Sequence, residues 1–323
     1  MGGGVRAHPV SDRRAMLGES PLWDDTVGLR WLDITGQRLY TADSELRLSH
    51  RVTAIEHGQG GALLAVTTDG FGWLDPTTGA VRQRVTVPVG AGVTMNDGAI
   101  DPCGRCWAGS ATRGGTRRGV LYRLVHDVAD EQATGIGMSN GIDWSPDGST
   151  MYHVDSTAGT VTAWRYDLVT GGLGAARVLR TVPPSVGTPD GLTVDTDGFV
   201  WLAVWGAGEV WRLDPTGRTV ATISVPTPLV SSCAFGGAGL DTLYITTATR
   251  AGDPASGLLY ATEVAARGRP PRRFADTTGN PASNPSHTTD RTRHQPPDTT
   301  GNPASNPSHT TDRTPRRPAG NEW

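Results

Sequence analysis

The residues able to do polar chemistry recur at one spacing. Asn96 in MNDGAIDPCG lies eight residues before Gly104, Asn140 in SNGIDWSPDG eight before Gly148, and Asp190 in PDGLTVDTDG eight before Gly198. The same count back from Gly239 reaches Ser231 and from Gly70 reaches Ala62, while Glu19 lies nine before Gly28. Taken singly, Asn-Asp-Gly, Asn-Gly and Asp-Gly are turn signatures, and Asp97 reads as a turn residue. The polar residue, however, falls in register from repeat to repeat, ahead of the glycine turn and not inside it. Equivalent positions of a repeated fold converge, so Glu19, Ala62, Asn96, Asn140, Asp190 and Ser231 form a ring. Two carboxylates and two carboxamides facing one small volume require either a proton on one carboxyl or a cation between them. An all-oxygen donor set suits Ca²⁺, Mg²⁺ or Mn²⁺, and Zn²⁺ is also accommodated.

Such a ring needs elements that present one residue each. The 323 residues contain 43 Gly and 23 Pro with few long apolar runs, which points to an all-β chain of many short strands and turns. Apolar strand centres that precede a glycine turn fall at Trp23, Val66, Ile100, Ile142, Val194 and Phe235, separated by 43, 34, 42, 52 and 41 residues. That is the period of a four-stranded propeller blade, so the expected fold is a six-bladed β-propeller over residues 1–275. Segments such as GFVWLAVW, GEVWRLDP and TVATISVP supply hairpin strands within a blade. The innermost strands would line a central channel with the polar ring at one mouth. Most of the ten Trp then pack blade against blade, and the ring closes if Val5 to Val10 pairs into the blade ending GLLYATEV.

Composition changes abruptly after Ala275. The unit DTTGNPASNPSHTTDRT begins at Asp276 and again at Asp298, with no large apolar residue in either copy. Residues 276–323 are therefore expected to form a disordered tail, because they cannot bury enough surface to offset the entropy of ordering. A net charge of -3 argues against nucleic acid or an anionic membrane surface as partner. With no signal-peptide core and no apolar run of membrane-spanning length, a cytoplasmic location is expected. Cys103 and Cys106 have redox spacing, but they flank a hairpin turn and not the helix N-terminus that activates such thiols.

The chain resembles the family of senescence marker protein 30, gluconolactonase and regucalcin, all six-bladed propellers. The likeness is carried by LGESPLWDD with Glu19, NDGAIDPCGRCWAGS with Asn96, SNGIDWSPD with Asn140, PDGLTVDTDGFVWLAVWGAGEVWRLDPTG with Asp190, and SSCAFGG from Ser231, across about residues 16–265. It implies one divalent metal ion (Ca²⁺, Zn²⁺, Mn²⁺ or Mg²⁺) held by Glu19, Asn140 and Asp190, with Asn96 reaching a small-molecule substrate. It also implies hydrolysis of a sugar lactone or related cyclic ester, for which Asp190 is the candidate proton acceptor. A non-catalytic protein that binds calcium or a small molecule would use the same ring. Sugar-lactone hydrolases of this family commonly carry Arg two residues before the substrate Asn, where this chain has Thr94. Thr cannot make the forked, charged contacts of Arg, so the pocket is expected to accept less hydroxylated or bulkier lactones and esters and to hold aldonolactones weakly.

Overall fold

Glycine and proline turns cut the chain into strands of two to ten residues, too short to bury an apolar face alone. Stacking solves this. The computed structural model describes residues 5–275 except 113 and 115, and no α-helix occurs among the described residues. The strands form six antiparallel blades around one axis, the expected six-bladed propeller.

The first blade contains β3 (Gly18–Asp24), β4 (Gly28–Asp33), β5 (Arg38–Tyr40) and β6 (Glu45–Arg47). The second contains β7 (Val52–His57), β8 (Leu63–Thr67), β9 (Gly70–Leu74) and β10 (Val81–Thr86), and the third β11 (Val93–Ile100), β12 (Cys106–Thr112), β13 (Gly119–Val125) and β14 (Val128–Ile136). The fourth comprises β15 (Ser139–Trp144), β16 (Thr150–Asp155), β17 (Thr160–Asp167) and β18 (Gly172–Thr181). The fifth has β19 (Thr188–Val194), β20 (Val200–Trp205), β21 (Glu209–Leu213) and β22 (Thr219–Ser224), and the sixth β23 (Val230–Gly236), β24 (Thr242–Thr247) and β25 (Tyr260–Glu263). The first strands, β3, β7, β11, β15, β19 and β23, contact one another in that order and close back on β3.

The core lies between blades. Trp107, Trp144 and Tyr166 meet edge to face between the third and fourth blades, with centroids 5.6–6.3 Å apart. Trp201 and Phe235 do the same between the fifth and sixth at 5.6 Å. These tryptophans belong to packing, as their spacing in the sequence indicates. Cys106 is buried in β12 and Cys103 is exposed at the preceding turn, both as free thiols.

The N-terminal segment closes the ring in two steps. β1 (Val5–Arg6) lies parallel to β22, and β2 (His8–Pro9) then completes the sixth blade antiparallel to β25, with His8 opposite Ala261. The pairing expected with GLLYATEV is therefore present, and the fifth blade also gains a strand. The tail expected over residues 276–323 lies outside the described residues. Removing residues 1–10 should uncover the edges of β22 and β25 and lower Tm by at least about 2–4 °C, the shift that ~1 kcal/mol produces in a domain of this size. Differential scanning calorimetry of the shortened chain checks this.

Candidate metal and substrate site

Every innermost strand carries a β-bulge near its start. The register shifts fall between Glu19 and Leu22, Val52 and Ala54, Met95 and Gly98, Ser139 and Ile142, Pro189 and Leu192, and Val230 and Ser232. A bulge leaves its extra residue out of the ladder and re-aims the side chain. Glu19, Asn96, Asn140, Asp190 and Ser231 occupy or border these bulges, so the ring deduced from spacing exists in five of its six positions. The sixth is corrected: the second blade contributes Thr53, eight residues before Gly61, whereas Ala62 sits in the turn between β7 and β8. Counting from Gly70 landed one hairpin too late, because the second blade has two glycine turns in succession.

The glycines of NDG, NG and DG are not turn residues. A Cβ on Gly141 would lie 2.4 Å from the Leu192 backbone nitrogen, and one on Gly191 2.2 Å from Ser232 Oγ. These positions lie inside strands where the neighbouring innermost strand presses against the backbone, and only glycine leaves room. Asp97 likewise stands in the β11 bulge, not in a turn, and lines the channel.

Hydrogen bonds fix how the polar side chains are presented. Asn96 donates both amide hydrogens, to the Ser139 carbonyl at 2.8 Å and to Asn140 Oδ1 at 2.9 Å. Its own Oδ1 receives no hydrogen bond among the described residues and is left as an acceptor. Ser156 donates its hydroxyl to the Pro189 carbonyl at 2.6 Å, so it must accept from Asn140 Nδ2, which lies 2.8 Å away. Asn140 therefore keeps its carbonyl oxygen on the side of Asn96. Ser156 ties this amide to the residue preceding Asp190, a connection that sequence spacing did not reveal. Thr94 pairs with Ala111, and, flanking buried Met95, it shares with Asn96 the face opposite that methionine.

The electrostatics separate structural from available carboxylates. Buried Asp33 accepts from the amides of Met16, Leu17 and Gly36, and buried Asp155 from those of Gly137, Met138 and Ala158. Asp195 is satisfied by Trp201 Nε1, Arg212 and two amides. The channel carboxylates have no such cover. Glu19 receives one amide, from Ser20, and Asp97 one, from Gly98, while Glu56 receives no hydrogen bond among the described residues. Burial, then Asp190 and Asp97, push the Glu19 carboxyl well above its ordinary range. Burial and Asp97 raise Asp190 in the same way, and burial lifts Asp97 to about 6. Glu56 is raised by burial and by Asp97. Glu19, Asp97 and Asp190 thus repel one another across one space, which brings the two candidate metal carboxylates together with a third that spacing alone assigned to a turn.

This donor set fits a hard cation. It offers two carboxylates and a carboxamide oxygen, with no thiolate or imidazole, and no group of three or more His, Cys, Asp or Glu forms a metal cage among the described residues. Behind the ring the channel widens into a cavity of about 150 Å³ lined by Glu56, Asp97 and Asp143 and floored by Arg269 and Arg272. No helix of the described residues is long and apolar enough to cross a membrane.

Residues 17–249 match the SMP-30/Gluconolactonase/LRE-like region. The chain belongs to that family. It is 34% identical over 280 residues to a pentonolactonase of Haloferax volcanii, covering 81% of this chain and 95% of the relative. It is 32% identical over 257 residues to regucalcin of Danio rerio, covering 76% of this chain and 87% of that protein. A solved regucalcin from Agrobacterium tumefaciens, described as a calcium-binding protein, superposes with a TM-score of 0.78 at 26% identity over 84% of this chain and 99% of its own. The family match spans all the ring residues from Glu19 to Ser231.

Replacing Ser156 by Ala should release the Asn140 amide and weaken divalent-cation binding about 10- to 100-fold, the usual cost of losing an orienting partner, with little change in the circular dichroism spectrum. Isothermal titration calorimetry on the variant measures it. A pH dependence also follows. In the cation-free protein Glu19, Asp97 and Asp190 hold their protons more tightly folded than unfolded. Their contribution is therefore present at low pH and lost as pH rises from the ordinary carboxylate range of ~4 through their raised folded values. His153 is lowered to about 4 by burial and acts in the opposite direction. The rise in Tm on adding a saturating divalent cation should thus be larger at pH 7 than at pH 5.

Proposed function

We infer that this protein is a divalent-metal-dependent lactonase that opens a sugar lactone or related cyclic ester at the channel mouth. The observation that carries the reading is that Glu19 and Asp190, carboxyls with one backbone amide each for cover, are near enough to Asp97 and to each other to raise their proton affinity, while Ser156 orients the Asn140 amide and ties it to the residue before Asp190. Elsewhere the fold matches buried acids with amides or arginine. A group of acids left without cover is a site built for a cation, and the lactonase among the relatives supports what the cation is used for.

In this reading Glu19, Asn140 and Asp190 would hold the ion, which when bound would supply Lewis acidity toward the lactone carbonyl and toward the attacking water. Asn96 Oδ1 accepts a hydrogen bond from a substrate hydroxyl and orients the ring. Asp190 takes the proton as the water's oxygen bonds to the carbonyl carbon. The ring C–O bond then breaks, and the proton goes to the departing alkoxide, giving the open hydroxy acid. Burial and Asp97 raise Asp190, and a cation held beside it would favour the ionised form that accepts the proton. Ca²⁺, Mg²⁺, Mn²⁺ and Zn²⁺ all suit oxygen donors of this kind.

A second reading is binding without turnover, favoured by the calcium-binding description of the similar Agrobacterium structure. A pH-indicator screen of aldonolactones and aryl esters, with EDTA and with each metal restored, separates the two: metal-restored turnover supports hydrolysis, and binding with no turnover supports a buffer or sensor.

Changing Asp190 to Ala should abolish both stoichiometric metal in equilibrium dialysis and hydrolysis while the protein remains folded. Changing Thr94 to Arg should move kcat/KM toward gluconolactone over a simple alkyl lactone, by at most the ~1.5–3 kcal/mol of a charged hydrogen bond. An unchanged ratio at equal metal occupancy would show that position 94 does not meet the substrate.

A further inference from the structure

The chain does not stop at β25. Residues 264–275 run across the channel end opposite the polar ring, hydrogen-bonding in turn to the sixth, fifth, second and third blades through Leu240, Thr196, His57 and Gly104. Two arginines on this segment reach inward. Arg272 Nη1 donates to the Ile100 carbonyl at 2.9 Å and to Asp143 Oδ1 at 3.0 Å. Arg269 donates through Nη2 to Asp143 Oδ1 at 2.8 Å and through Nε to the Val194 carbonyl at 3.4 Å. Asp143 Oδ2 accepts the Val194 amide at 2.8 Å, which closes the network. Burial alone would raise Asp143, but Arg269 and Arg272 together with the Trp144 and Val194 amides more than reverse it, so the carboxylate stays ionised and the links stay charge-assisted.

The strands gripped are the informative point. Ile100 lies on β11 four residues after Asn96, Asp143 on β15 three residues after Asn140, and Val194 on β19 four residues after Asp190. At ~3.3 Å per residue the network sits about 10–13 Å behind the ring. Adjacent innermost strands of a propeller belong to different sheets, so no ladder fixes their relative heights, and at the ring each is interrupted by a bulge. We propose that Arg269 and Arg272, acting through Asp143, are positioning residues that hold β11, β15 and β19 at one height and thereby set the mutual placement of Asn96, Asn140 and Asp190. The inference rests on the metal-lactonase reading of that ring. The hydrogen bonds of both arginines go to Ile100, Asp143, Ser145 and Val194, and none goes to Asn96, Asn140 or Asp190. Their effect passes along three strands.

The test uses the full chain with Arg269→Gln and Arg272→Gln together, compared with Arg272→Lys, which keeps the charge and a donor. Divalent-cation Kd, kcat, KM, Tm and amide hydrogen exchange are measured for each. The expected result for the double variant is a Kd weakened about tenfold or more, the range seen when orienting partners of metal ligands are lost. It should also show a matching fall in kcat with KM little changed, and faster exchange at the ring ends of β11, β15 and β19 even without cation. Arg272→Lys should show only part of that loss. A lower Tm with Kd, kcat and exchange at the ring unchanged would overturn the proposal and leave the segment as a stabilising cover. Should the double variant fail to fold, Asp143→Asn, which removes the charge while leaving an acceptor for Val194, is read on the same scale. If the unaltered protein neither binds cation nor hydrolyses lactones, the functional reading fails, and the cation-free exchange rates decide this inference separately.

Discussion

Repulsion among Glu19, Asp97 and Asp190 is the constraint around which the channel mouth is built. Bringing three carboxyls out of bulk water into one space costs several kcal/mol unless protons or a cation compensate. A fold selected only for stability would place apolar residues there, as it does throughout the inter-blade clusters that contain Leu32, Ile55 and Trp144. The rest of the molecule supplies what lets this arrangement persist. Six blades share the load, tight inter-blade packing fixes their angles, and the amide and arginine partners of Asp33, Asp155 and Asp195 keep other buried acids from adding to the repulsion.

The geometry of presentation is set by backbone features more than by the site residues themselves. A bulge at the start of each innermost strand turns one side chain out of the ladder toward the axis, and in β11, β15 and β19 the glycine that follows lets a neighbouring strand approach. Ser156 locks Asn140, and Asn140 in turn receives Asn96. β11 and β15 are thus joined at the ring by two hydrogen bonds from the Asn96 amide, and in the proposed reading one strand presents a cation ligand and the other a substrate contact. A change in either is felt by the other.

Much of this was legible in the sequence because a propeller repeats. The eight-residue interval from Asn96, Asn140, Asp190 and Ser231 to their turn glycines is the length of one innermost strand and its hairpin, so counting placed four positions in register without any three-dimensional information. The count failed at Ala62, where Gly61 and Gly70 close successive hairpins and nothing local says which turn belongs to the inner strand. Asp97 was misread for a related reason: Asn-Asp-Gly has the composition of a turn, and only the press of a neighbouring blade turns it into a bulge facing the axis. Glu56 and Ser156 escaped altogether, since their importance lies in which side chains reach them across blades, and no spacing encodes that.

In the proposed reading Glu19 and Asp190 hold protons that a cation displaces. Calorimetric titration of the metal-free protein with a divalent cation near pH 6, repeated in buffers of different ionisation enthalpy, counts the protons released per ion bound. The account predicts release of about one proton or more per cation, diminished when Glu19 is changed to Gln and absent together with binding when Asp190 is changed to Ala. Stoichiometric binding with no proton release, or release that survives both substitutions, would contradict it.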